Sequence, residues 1–192
     1  MNGLGQAKIL GGVGSLLMVL SIIPNTGPVL YIVGLVLVLI AVKQIADILK
    51  EQRIFNNVLT SVILGIVGLA VGAAVGFAGF FSLFRFDMMD LGRLGRDGFF
   101  GLFTRGQLLG FAITFIIALV VVWIFLIVSS VFLRRGLTEM GSRLGVGYFG
   151  TAGLLFLIGS VLVVVLVGFI IIFVASIILT VAFFSLPEHP PS

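Results

Sequence analysis

Lys43 and Asp47 stand four residues apart with Gln44 between them, and Asn56 and Asn57 follow across a short polar link. On a helix that spacing puts ammonium and carboxylate on one face. Together with the amides they form the chain's best set for contacting a polar ligand, and ionisable groups inside a membrane span mark transport pathways. The competing reading is an interface anchor. Lys43 lays its stem along apolar surface and lifts its ammonium to the headgroups, while Asn56 and Asn57 cap the next helix or bond to a neighbour. The position at the end of an apolar run favours the anchor. Asp87, Asp90 and Asp97 offer three carboxylates to a cation, but Arg85, Arg93, Arg96 and Arg105 stand around them, and solvated ion pairs are the commoner outcome. His189, the sole histidine, sits beside Pro190 in a tail and reads as solvated. The chain has no cysteine, hence no disulfide and no thiolate zinc site. No nucleophile stands with a base, and neither H-E-x-x-H nor a phosphate loop occurs. The chain is therefore read as not an enzyme, with no metal and no cofactor.

The elements that would position these residues are apolar. Of 192 residues, 60% are hydrophobic and 9% charged, against about 25% charged in a soluble domain. A core of this size cannot hide that much apolar surface, so lipid must be the solvent. Barrel strands would alternate apolar and polar residues, whereas these runs are continuous, so the fold class is all-α, a polytopic helical membrane bundle. The net charge of +4 belongs to Lys and Arg placed between apolar runs. It reads as a topology signal and lipid-headgroup contact, not as a nucleic-acid surface. The apolar run after Lys8 resembles a signal peptide but lacks a small-x-small cleavage site, so it is read as retained.

We read one integral membrane domain over residues 1–192, with an N-terminal helical hairpin at 7–50, a central helix pair at 54–135 carrying an outer loop at 85–107, and a C-terminal hairpin at 146–186. Pro24-Asn25-Thr26-Gly27-Pro28 breaks the first hairpin, and Pro28 suits the first turn of a helix. The stretch from Val146 to Leu186 is the ambiguous one. As a single helix it would run about 60 Å, twice the roughly 30 Å of hydrocarbon. Two crossings with a reversal near Gly168 fit better, giving six transmembrane helices, with five as the alternative. The six-span count puts seven Lys and Arg on one side (Lys8, Lys43, Lys50, Arg53, Arg134, Arg135, Arg143) and four on the other, which places the N-terminus and both basic links in the cytoplasm of a multi-pass cell-membrane protein.

Gly65, Gly68, Gly72, Gly76 and Gly79 fall on one stripe of the third span. Such a zipper lets another backbone approach closely. Packing inside the bundle is the first reading, and self-association or the wall of an oligomeric pore the second. Phenylalanines flanking the outer loop mark it as an interfacial segment, with a lid as the alternative.

GLGQAKILGGVGSLL at 3–17, GLVLVLIAVKQIAD at 34–47, IFNN at 54–57, LGVGYFGTAGLLFLIGS at 144–160 and VGFIIIFVASIILTVAFFSLP at 167–187 resemble an archaeal family of integral membrane proteins of unknown function, domain of unknown function 996. The resemblance covers the first and last thirds well and the centre by hydropathy. It implies an archaeal cell membrane and no assigned activity. The expected role is a non-catalytic accessory or scaffold subunit that meets the lipid bilayer and a second copy or a membrane protein partner. The alternative is a passive channel for a small solute, lined by Thr60, Ser61, Thr114, Ser129 and Ser130.

Overall fold

The structure, a computed structural model, describes residues 3–83 and 105–187. Most of the outer loop, its three aspartates and His189 lie outside the described residues. The elements are α1 (Gly3–Leu20), α2 (Gly27–Ile48), α3 (Gln52–Leu83), α4 (Arg105–Leu144), α5 (Gly147–Leu162), a 3-10 turn (Val163–Val165) and α6 (Val167–Phe184). There is no strand among the described residues. Six of these helices are long and apolar enough to cross a membrane. The stretch that could have been one helix is two, α5 and α6, and the fold is all-α.

The four other connections between helices, those outside the stretch from α3 to α4, are short because single residues make the reversals. Asn25 takes a left-handed φ of 69° in the proline-bounded turn, a conformation asparagine tolerates. The α2 C-terminus closes with Lys50 at φ 53°. There the Glu51 N–H donates to Ala46 O (2.9 Å) and the Lys50 N–H to Asp47 O (3.3 Å), the bond pair of a Schellman cap. Gly145 repeats the device after α4 at φ 68°, with the Val146 N–H on Gly141 O at 3.0 Å.

Three sequence expectations are refined. The reversal between the last two helices falls at Val163–Leu166, just before Gly168, with Leu166 at φ 63°. Gly168 lies in the first turn of α6, where a Cβ would collide with Gly159 O and Val163 N, so its small size serves close approach. α4 does not end at Arg135. It continues to Leu144 because Gly136, Leu137, Met140, Gly141 and Leu144 recur at helical spacing and are buried, while Arg135, Ser142 and Arg143 face outward. α3 starts at Gln52, two residues before the expected boundary. Asn56 and Asn57 are therefore inside the helix and do not cap it.

The chain divides into two compact units, one of Met1–Gly65 with Leu126–Ser192 and one of Ile66–Phe125. In the first, helices meet at glycines. A Cβ on Gly34 would lie 2.5 Å from Gly14 O, and one on Gly14 2.8 Å from Gly34 O, so α1 and α2 touch backbone to backbone. Gly11 lies beneath the Phe183 ring, and Phe183 sets its edge against Phe149 with centroids 5.1 Å apart. This joins α1, α5 and α6. Leu4, Ala7, Ile45, Ile54, Leu137 and Met140 fill the interior. In the second unit α3 and α4 pack through Gly68 on Phe125, Gly72 on Val122 and Gly79 on Thr114. Outward faces carry large exposed apolar side chains such as Ile32, Leu69 and Ile170. Small residues inside and large apolar ones outside is the arrangement expected of helices that pack in lipid, where close contact, rather than water exclusion, drives association.

Candidate functional site

One end of the first unit gathers the starts of α1, α3 and α5 and the ends of α2, α4 and α6. Gly3 abuts Ile48, where a Cβ would lie 2.9 Å from the Ile48 Cδ1. The Lys8 Nζ donates to Leu186 O at 3.2 Å. Gly136 of α4 packs on Val58 and on Ile54 O, and Gly153 of α5 on the Arg134 Cα at 3.0 Å. The Arg143 Nη2 donates to Glu51 Oε2 at 3.3 Å and to Glu139 Oε1 at 3.5 Å. The seven described Lys and Arg side chains and the three described Asp and Glu (Asp47, Glu51, Glu139) all belong to this end. The opposite turns, at 21–26 and 163–166, contain no ionisable side chain.

The sequence-derived polar set occupies this end but does not form one cluster. Asp47 Oδ1 accepts from Gln52 Nε2 at 2.7 Å, so its partner comes from the next helix and not from Lys43, which is exposed. Asn57 lays its Cβ carbon near Gly136, and Asn56 faces outward. No hydrogen bond joins either asparagine to Lys43, Gln44 or Asp47. Gln44 differs from the others in having a buried Oε1 without a hydrogen-bond partner. A buried acceptor left open costs about 1–3 kcal/mol, so Gln44 is the one member of the set whose open acceptor is shut away from solvent. Glu51, Gln52 and Arg143 are the polar contributors that spacing along the chain did not reveal, because their contacts cross from one helix to another.

Four of the five hydroxyls that could line a conduit, all but Thr60, are engaged between or within helices. Ser129 Oγ donates to Ser61 O at 2.8 Å and lies 3.1 Å from Ser61 Oγ. Its neighbour Ser130 lies 2.7 Å from Ser160 Oγ, oxygen to oxygen. The two consecutive serines thus hold α4 to α3 on one side and to α5 on the other. Thr114 Oγ1 donates to Gly110 O of its own helix at 2.9 Å.

Four members of the glycine stripe meet α4. Gly68, Gly72 and Gly79 do so tightly, and Gly65 more loosely, with a Cβ 3.7 Å from Ser129 Oγ. Gly76 does not: a Cβ there would meet nothing within 4 Å. It opens instead onto a groove of about 500 Å³ in the second unit, lined by Gly72, Phe77, Phe80, Phe115 and Leu119. Side chains of this kind offer a ligand apolar contact and no polar anchor.

A family described as protein of unknown function (DUF996) matches residues 30–177. An uncharacterized protein, MJ1644, of Methanocaldococcus jannaschii is 33% identical over 186 residues, covering 96% of this chain and 94% of its own length. No solved structure matches.

Proposed function

Because the chain belongs to the family of unknown function DUF996, which brings no activity with it, we propose a role from the helices themselves: a multi-pass membrane protein that acts as a non-catalytic accessory or scaffold subunit. One observation carries the reading. The buried hydroxyls of Ser61, Ser130 and Ser160 and the tight glycines are engaged by neighbouring helices of the same chain, which leaves apolar outer faces as the surface offered to lipid and to other membrane proteins. The charges at one end of the first unit support an orientation with that end, and both termini, in the cytoplasm.

The test pairs native mass with solute flux. Protein purified in mild detergent is expected to run with a second copy or a co-purifying membrane protein. Proteoliposomes containing it are expected to pass small neutral and ionic solutes no faster than empty vesicles. Flux that Thr114→Val or Gly72→Leu abolishes would replace this reading with a passive channel.

A further inference from the structure

We propose that the α5–α6 turn ends inside the acyl-chain region of the far leaflet and never emerges into water. The inference rests on the membrane-spanning reading and adds a depth to it. The turn is Val163-Val164-Val165-Leu166, and its side chains project outward: Val164 is 62% exposed, Val165 60% and Leu166 72%. Neither flank carries a charge, since the nearest described ionisable side chain along α5 is Tyr148. A turn in water exposes polar side chains; this one exposes only branched hydrocarbon.

The lengths agree. α6, from Val167 to Phe184, is about 27 Å long. Its far end is tied to the basic end by the Lys8 bond to Leu186 O. Arg134 lies level with Gly153, and from there α5 and the 3-10 turn rise only about 20 Å. Lys and Arg stems can reach a few ångströms back to the near headgroups. Against roughly 30 Å of hydrocarbon, both limbs stop at or short of the far boundary. The reversal is tight. The Leu166 N–H donates to Val163 O (3.0 Å) and the Phe169 N–H to Leu166 O (3.2 Å), so one left-handed residue separates two hydrogen-bonded helices. The occupant of this surface is therefore lipid acyl chain.

The chain's lack of cysteine permits single nitroxide labels. Leu166→Cys, mid-span Val36→Cys and Lys50→Cys at the basic end are labelled in the full-length protein and reconstituted into dioleoyl phosphatidylcholine vesicles containing phosphatidylglycerol. Collisions with oxygen and with a water-soluble nickel chelate are then measured. The expected result is high oxygen and low nickel accessibility at 166, as at 36, with nickel dominant at 50. Val165→Cys repeats the measurement if the first variant folds poorly. Nickel accessibility at 166 with oxygen still dominant at 36 overturns the depth and leaves the spans standing. Low accessibility to both reagents at 166 places protein over the turn and also overturns it. Nickel accessibility at 36 removes the membrane reading and this inference with it.

Discussion

Lys50 holds a left-handed backbone at the end of α2, where a β-carbon has no favourable place. The left-handed region penalises an L-residue by roughly 1–2 kcal/mol, and the Schellman bonds around Lys50 keep it there. Lys50→Gly should therefore raise stability by about 1 kcal/mol, read as a higher midpoint of thermal unfolding in detergent. Gly145→Ala, at the matching cap after α4, should lower it by about the same amount; equal midpoints for the two variants would contradict the cap assignment. Gln44 gives a second prediction at this scale. Replacing its open acceptor by an apolar side chain of similar length, Gln44→Met, should stabilise by about 1 kcal/mol, and a lower midpoint would mean that Oε1 has a partner. Residues of this kind were only partly legible. The Lys43, Gln44 and Asp47 set was visible because it lies within one helix. Gln52 as the partner of Asp47 was not, because that contact forms only after the chain turns. Lys50 and Leu166 went unnoticed because turn chemistry favours glycine and asparagine at left-handed positions, and the chain uses neither there.

Helices in lipid find their registry through close backbone approach, and α3 separates the two uses its glycines could have. Gly72 sits under Val122, so Gly72→Leu should drive α3 and α4 apart and cause the detergent-solubilised protein to lose its cooperative melt. Gly76 faces open space, so Gly76→Leu should leave the melt within a few degrees of the parent; equal losses from both would place the contact elsewhere on the helix. Ser130→Ala, which removes one half of the bond to Ser160, should lower stability by about 0.6 kcal/mol, the average for such bonds between membrane helices. The stripe was legible from spacings of three and four, but not which member would face outward. At about 100° per residue Gly76 stands about 80° from Gly68, enough to turn it off the seam, while Gly79 comes back to about 20°. The overhang of α4 was missed for a different reason. Arg134 and Arg135 read as the end of a span, while Leu137, Met140 and Leu144 continue the buried face beyond it.

At the scale of the whole molecule, length set against bilayer thickness decides the topology, and this was the most legible level. Continuous apolar runs identified the class, and the excess length of residues 146–186 pointed to two helices before any turn residue did. The site was far less legible, because polar groups at one end of a bundle are assembled from six helix termini that are distant in sequence. Six crossings require both chain ends on one side, in agreement with the Lys8 bond to Leu186 O at the basic end. The measurement that tests this most directly is the sidedness of both ends in one membrane preparation. Identical protease-cleavable tags before Met1 and after Ser192 should both be protected in intact spheroplasts and both cut after lysis. One tag cut and one protected in intact spheroplasts would mean an odd number of crossings and would contradict the six-helix account.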